Sequence, residues 1–416
     1  MSIGRIIYFH RKKQQKTQEQ LCQGICSVTH LSKIENNFKE AHSKTLEMLC
    51  DRLQISIEKE NDKMKVLKQK LELFYDMIER LYKDRAETLY KELLEEEEYV
   101  QFTELIYVYK LYMLRYILFL DKISEFEQVA AVMKSDVTKY SPYELYIWEL
   151  LEAIYLGQKG MFAKSLEVLK CLEDKAEQYS EKISEYYYYR STAHGHLYQY
   201  SLSLYYANKA LRNLEYKTNL LRIVYIKMNI SVNLIRLGEF DSAEQMLFLI
   251  QSDSYLLEDN DMKISILHNL GLLYNEQKKY EKALNYYERT LQLIHNKNGV
   301  YYSTVIAMAQ VYIGYNQPNN AVELLKKEID VFEDRKSTIF IKMNIVYLEA
   351  LGCKKELTQY IISTGLPILE QNMEFSGAIR YINIIITYYE EKNNFTAVNR
   401  YLRKSNMLLQ KCLLYY

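Results

Sequence analysis

The sequence predicts an all-α protein: a small N-terminal head followed by a long array of paired helices. Three observations carry that expectation. Only three prolines and twelve glycines occur in 416 residues, too few for a β-rich or loop-rich chain. The stretch Thr17 to Asn36, TQEQLCQGICSVTHLSKIEN, reads as two short helices joined by a sharp turn. From about residue 100 onward a two-helix pattern recurs every 38 to 40 residues.

The head comes first in chain order. Ser2 to Gln15 hold Ile3, Ile6, Ile7 and Phe9 ahead of a basic run, Arg11, Lys12 and Lys13. Thr17 caps the next helix, and Gln20 sits at the capping-box spacing. Leu21 and Ile25 give that helix one apolar stripe, and Gly24 permits a tight turn at its end. Ser27 offers a second N-cap. Val28, Leu31 and Ile34 then form a buried side, while Ser27, Thr29, His30 and Lys33 occupy the other. Leu46, Leu49 and Leu53 mark a closing helix. Residues 1–44 carry eight Lys and Arg against three acids, a +5 excess that the remaining chain offsets to reach zero. A polar-faced second helix in a basic segment is the arrangement that enters a DNA major groove.

Residues 2–55 resemble the XRE/Cro-type helix-turn-helix family of bacterial and phage regulators. Thr17, Gln18 and Leu21 match its opening, and Leu31, Ser32, Ile34, Glu35 and Asn36 match its close. The resemblance implies that Gln18 touches a backbone phosphate and that Val28, Thr29 and Lys33 face base edges. It also implies that Arg11 and Glu35 form an internal salt bridge. The candidate DNA set is therefore Arg11, Gln18, Ser27, Val28, Thr29, His30 and Lys33, with Arg11 more a brace than a contact and Ser27 a cap as much as a contact. Val28 can offer only apolar contact, whereas Lys33 could bond a guanine edge.

Residues 56–99 read as a charged linker helix ending in the acidic run Glu95 to Glu98, which gives expected domains of 1–58, 59–99 and 100–416. In the third, the clearest unit is residues 267–291, with Leu270, Gly271, Tyr274, Tyr280, Ala283 and Tyr287 at tetratricopeptide spacings. The small position of each second helix falls on Ser165, Ser203, Ala243, Ala283 and Ala321. A further pair fits around Phe395 to Leu402, and a poorer one near Leu357 to Leu369. The expected architecture is an N-terminal helix-turn-helix domain followed by a degenerate tetratricopeptide-repeat right-handed solenoid with a concave groove. The 41 tyrosines, including the run Tyr186 to Tyr189, suit helix–helix packing with one wet edge.

A DNA-reading head on such a body resembles the peptide-sensing receptors of the Rap/Rgg/NprR/PlcR/PrgX group, with the layout of its NprR and PlcR members. That resemblance implies a short signalling oligopeptide, double-stranded operator DNA (palindromic for a homodimer) and a cytoplasmic location. Asparagine suits a peptide clamp, because one short side chain both donates and accepts. Asn229, Asn233, Asn269 and Asn344 lie on first helices of repeats, and Asn229 and Asn269 are 40 residues, one repeat, apart. Arg190, Arg222, Lys227, Lys263 and Arg380 could receive a carboxylate. The competing reading is that these asparagines only bridge neighbouring repeats.

Several classes are set aside. No stretch of eighteen uncharged apolar residues occurs, so no membrane span is expected, and the amphipathic N-terminus lacks the apolar core of a signal peptide. Cys22 and Cys26 have no second close pair, and His194 and His196 do not face the same way on a helix, so no metal is expected. No phosphate loop or nucleophile elbow appears, so no enzyme and no cofactor are expected. One alternative function stays open: a Rap-like regulator that binds or dephosphorylates a response regulator, for which Gln69, Gln101 and Gln128 are available to orient water.

Overall fold

The computed structural model describes residues 3–36, 42–179, 182–216, 219–257, 260–372 and 374–413, and it divides at Leu151 and Glu152 into two compact units. Every regular element among the described residues is helical.

In the first unit, α1 (Ile3–Lys13), α2 (Gln18–Cys22), α3 (Val28–Glu35) and α4 (Ser43–Leu53) enclose a core of Ile7, Leu21, Leu31, Ile34, Leu49 and Leu53. The local signals read from sequence are present. Thr17 accepts from the Gln20 amide while the Gln20 side chain accepts from the Thr17 amide, and Ser27 accepts from the His30 amide. Gly24 sits at φ +73°, where a side chain would be strained, and there the chain turns from α2 to α3. The end of α2 leaves carbonyls without helical partners. Arg52 of α4 supplies them, donating to the Leu21 carbonyl at 3.0 Å and to that of Gln23.

The expected single linker helix is instead a hairpin. α5 (Ile57–Glu79) and α6 (Lys83–Glu95) fold back on each other at Leu81, whose φ is +64°, and α7 (Glu97–Val100) follows. The reason lies in α5. Its stripe of Met64, Leu67, Leu71, Phe74 and Ile78 is too apolar for a lone helix in water, and it is buried. α6 and α8 (Ile106–Phe119) cover it, with α9 (Ile123–Met133) behind, and α10 (Pro142–Gln158) runs through the division between the units. The head is docked on this hairpin. Phe9 packs edge-on against Tyr99 at 5.5 Å between centroids, and Glu60 accepts from Tyr99 at 2.6 Å and pairs with His10 at 3.0 Å.

The second unit is built of helix pairs. α11 (Phe162–Cys171) and α12 (Glu173–Gln178) precede α13 (Ile183–His196) with α14 (Tyr200–Tyr216), α15 (Leu220–Leu237) with α16 (Phe240–Leu257), and α17 (Asn260–Glu276) with α18 (Tyr280–Leu293). Then come α19 (Gly299–Gly314) with α20 (Pro318–Val331), α21 (Thr338–Ala350) with α22 (Lys354–Tyr360) and α23 (Leu366–Gln371), and α24 (Phe375–Glu391) with α25 (Phe395–Leu413). The predicted small positions Ser165, Ser203, Ala243, Ala283 and Ala321 are all buried at second helices. Gly271 shows why the pattern needs a small residue opposite a ring: a Cβ there would lie 2.5 Å from the Tyr287 ring. A π turn at Ile361–Gly365 joins α22 to α23 just ahead of Pro367, whose missing N–H the wider turn accommodates.

First helices of successive pairs, α13, α15, α17, α19 and α21, touch one another in series and so form the inner row. Two buried clusters span it. One centres on Val224, Leu247, Ile266, Leu270 and Tyr287, the other on Ile341, Ile345, Ile382 and Ile385.

Candidate functional site

Two sets of residues qualify, one in each unit. In the head, α3 presents its polar side outward. Ser27, Val28, Thr29 and Lys33 are exposed and His30 is half-buried; Val28, at 43%, stands outside the buried side expected for it, because it is in the first turn of α3, ahead of Leu31 and Ile34, which reach the core. Ser27 is engaged as the N-cap, accepting from His30 N at 3.1 Å. Lys33 makes no ion pair among the described residues, so its ammonium is available. Asn36 joins this face: it is exposed, and its amide donates to the Ser32 carbonyl at 2.8 Å. It was singled out as a family mark, but not as a surface residue.

Arg11 does not belong to that surface. It is 5% exposed, and it grips Glu35 with two parallel bonds, Nε to Oε1 at 2.6 Å and Nη2 to Oε2 at 2.9 Å. Its third donor reaches the Lys16 carbonyl at 2.9 Å. A buried guanidinium held by three bonds, two of them to Glu35, serves first as a brace between helices. Gln18 is half-committed as well, donating to Glu35 Oε2 at 2.7 Å. The physical reason is Glu35, buried at 4% exposure: a buried carboxylate draws in the nearest donors. Beside this knot lies an open concavity of ≈ 580 Å³ lined by Tyr8, Lys12, Gln15, Lys16, Thr17 and Gln18, with the edge of Arg11 at its floor. Two lysines at its rim give it the polarity of an anion seat.

In the repeats, the asparagines separate into different roles. Asn233 is buried, and its amide donates to Ser203 Oγ at 2.8 Å and to Asn229 Oδ1 at 2.7 Å. Asn229 Oδ1 also accepts from Ser191 Oγ at 3.2 Å. Ser191 and Ser203 in turn bond each other's carbonyls at 2.9 and 2.8 Å. This knot ties α13, α14 and α15 together. Asn233 is therefore a bridge between repeats and is removed from the candidate peptide contacts. Asn229 differs: it is half-buried, its oxygen is held, and its Nδ2 donates to nothing among the described residues. Asn269 is half-buried with no side-chain hydrogen bond among the described residues. Asn344 donates to the Phe340 carbonyl of its own helix at 3.0 Å.

The candidate cations separate similarly. Arg190 is buried, donates to the Tyr186 hydroxyl, pairs with Glu173 at 3.1 Å and lies 4.2 Å over the Tyr206 ring. It is a packing residue, because an unpaired guanidinium could not be buried there. Arg222 is buried 3.7 Å from Glu185. Lys263 borders a dent of ≈ 340 Å³ with Gln251, Asn260, Arg289 and Gln292. Lys227 is half-buried and Arg380 exposed, and neither forms an ion pair among the described residues. Glu349, itself exposed, lies near enough to Arg380 to feel its charge.

Two further residues on the inner row, His268 and Thr304, are not among the expected site residues, and Tyr287 of α18, expected only as a repeat position, lies beside them. His268 Nδ1 meets Thr304 Oγ1 at 3.0 Å, and burial pushes the imidazole pKa down to about 4. Tyr287, beside it at 5.4 Å between centroids, carries a buried hydroxyl with no partner among the described residues. A lone histidine two positions before Leu270 gives no signal of burial, since periodicity marks the side of a helix and not its depth. The serine knot did leave one: serine replaces alanine at the small position in two repeats, and Ser165 bonds the Ala153 carbonyl at 2.7 Å over the same twelve-residue span as Ser203 and Ser191. His194 and His196 serve packing, His194 against Tyr206 and Gln199, His196 stacked on Phe162 at 3.8 Å. Among the described residues no helix is long and apolar enough to cross a membrane.

With this geometry in view, comparison with known proteins is informative. Residues 262–334 match the tetratricopeptide repeat family. The chain is 23% identical over 411 residues to the transcriptional activator NprA of Geobacillus stearothermophilus, spanning 94% of this chain and all of that one. Its fold is that of NprR in complex with its cognate peptide NprX, at a TM-score of 0.71 and 24% identity, covering 83% of this chain and 99% of that one. A Rap protein complexed with competence and sporulation factor superposes at a TM-score of 0.72 and 18% identity, covering 85% and 100%. The chain thus shares the helical-repeat fold of these proteins, and its residues 262–334 match the tetratricopeptide repeat.

Proposed function

We propose that this protein is a peptide-responsive transcription regulator of the cytoplasm, acting as a homodimer on a two-fold operator. The observation that carries the reading is the pairing of a free α3 face with a repeat unit of the fold seen in the NprR–NprX complex. Thr29, Lys33 and Val28 read base edges, and Lys12, Lys16 and the free edge of Gln18 seat a phosphate in the concavity beside them. Asn229, held by its oxygen with its amide free, and Asn269 clamp an extended peptide backbone one repeat apart, while Lys227 and Arg380 meet its carboxylates. Full-length similarity to a transcriptional activator supports the same reading. Peptide binding shifts the population of repeat-unit conformations and so the spacing of the two heads.

The test is calorimetry with synthetic peptides encoded by short reading frames adjoining the gene, paired with an operator shift assay. Binding that is abolished by Asn269→Ala, together with an altered operator shift, supports the proposal. The absence of binding by any such peptide overturns the peptide half.

One observation favours a second reading. On α5, Gln69 is exposed between Val66 and Leu73, themselves 58% and 48% exposed, an apolar rim around a water-orienting side chain. Gln128 has one exposed apolar neighbour a turn on, Val132, and Gln101 is exposed outside the long helices. If this face docks a phosphorylated response regulator, the protein speeds its loss of phosphate and Gln69→Ala does not.

A further inference from the structure

An asparagine clamp grips a peptide backbone and so accepts any sequence. Selectivity has to come from a neighbour that reads a side chain. His268 stands where such a reader belongs. On α17, Ile266, Leu270 and Tyr274 are buried in the repeat stack. Ser265, His268, Asn269 and Leu272, spaced i, i+3, i+4 and i+7, share the other side and are all half-buried. His268 and Asn269 therefore flank one strip of the inner row, and Asn269 is the residue assigned to the backbone.

What His268 offers there is fixed from behind. Its Nδ1 lies 3.0 Å from Thr304 Oγ1. The Thr304 hydroxyl has a single hydrogen, and it goes to the Val300 carbonyl at 2.8 Å. Toward the imidazole Oγ1 can then only accept, so Nδ1 carries the ring proton and Nε2 is left as a bare lone pair. Thr304 is fully buried, so water does not compete for this bond. The neighbouring Tyr287 hydroxyl bonds nothing among the described residues and so does not occupy Nε2. Nε2 itself has no partner among them and is not sealed from solvent.

Burial alone pushes the imidazole pKa down to about 4, so near neutral pH the ring is uncharged and Nε2 is an acceptor. No acid contributes to that shift, so an ammonium brought to Nε2 would find no carboxylate to pair with. A carboxylate brought there has no hydrogen to give. A neutral donor, a hydroxyl or a carboxamide, satisfies both sides of the contact.

We propose that His268 is a specificity residue of the peptide groove, selecting a signalling peptide whose side chain opposite α17 carries a neutral hydroxyl or carboxamide donor, and that Thr304 positions it by holding the Nδ1–H tautomer. This assignment rests on the peptide reading above and adds to it the side chain the peptide must carry.

Two measurements on the full chain test it. The first needs no peptide. Long-range nitrogen–proton correlation spectra of nitrogen-labelled protein near neutral pH identify the His268 ring as the signals missing from His268→Leu. They show a protonated Nδ1 and a bare Nε2. In Thr304→Val, which keeps the imidazole and removes its acceptor, the two tautomers mix. A wild-type ring protonated at Nε2, or at both nitrogens, overturns the proposal. The second measurement scans a synthetic library of short peptides by fluorescence polarisation, each position carrying Thr, Val, Asn, Leu, Lys or Asp in turn. At one position the wild type favours Thr over Val and Asn over Leu by about tenfold, the size of one neutral hydrogen bond. His268→Leu loses that preference and keeps those at other positions, and Thr304→Val reduces it. An unchanged preference in His268→Leu, or a preference for Lys that survives it, overturns the role of His268 and leaves peptide binding standing. A wild-type chain that binds no member of the library overturns both.

Discussion

The α3 face of the head and the asparagines of the inner repeat row began as equivalent lists of polar side chains, and they differ in what already holds them. On α3, Thr29 and Lys33 project freely from a helix fixed by its cap and by a buried ion pair beneath. In the repeats, Asn233 is spent inside the protein, and Asn229 is half-spent. The difference teaches that a single short helix over a small core can display its polar side directly. A stack of helices must first satisfy the polar groups buried between its layers, and only donors left over can serve a ligand. Each unit thus separates into residues that hold and residues that reach, and the two kinds should respond differently to substitution.

The largest effect is expected at the brace. Arg11→Ala leaves Glu35 buried without its partner and destabilises the head by about 3–5 kcal/mol. Operator binding is lost while the repeat unit keeps its own thermal transition by calorimetry. An operator affinity that survives this change would place Arg11 outside the holding set.

The second test is pH. His268 has a folded pKa of about 4, below the unfolded value of roughly 6.5. As pH falls, the unfolded chain takes up this proton first. The contribution is therefore fully present above the unfolded pKa and is lost progressively toward the folded one, up to about 3 kcal/mol in all. His268→Gln should flatten the fall of the melting midpoint across that window. An unchanged slope would place the imidazole in water.

Third, the asparagines should diverge. Asn233→Ala removes two buried hydrogen bonds, to Ser203 and to Asn229, and costs about 2 kcal/mol of stability in urea unfolding. Asn269→Ala, with no internal bond to lose, should leave stability unchanged and weaken peptide binding. If both changes act on stability alone, the inner row holds and does not reach.

The smallest effect belongs to Lys33. A lysine meets a base edge as a point charge, not a fork, so Lys33→Ala should cost about 1 kcal/mol of specific operator affinity. Non-specific binding falls less, as read from competition titrations with unrelated duplex DNA. An equal loss on both would make Lys33 a phosphate contact.

How much of this was legible beforehand follows from the kind of signal involved. Caps, turns and helix sides were readable at Thr17, Gly24, Ser27 and Leu31 because each rests on contacts within four residues. The repeat register was readable at Ser203, Ala243 and Ala283 because a small residue must recur wherever two helices cross closely. The hairpin of α5 and α6 was missed, since the charge of residues 56–99 masks a stripe as apolar as Met64, Leu67, Leu71 and Phe74. Arg190 was misread because a cation in a tyrosine-rich run gives no sign of whether it faces water or Glu173.

By itself, then, the sequence determined the all-helical class, the head motif and the repeat spacing, all of which follow from backbone propensity and short-range periodicity. Only the tertiary structure decided which asparagine is free, which arginine is buried and which nitrogen of His268 is bare. Those outcomes depend on desolvation, and the water left around a side chain is set by residues on other helices, seventeen positions away for Arg190 and Glu173 and thirty for Asn233 and Ser203.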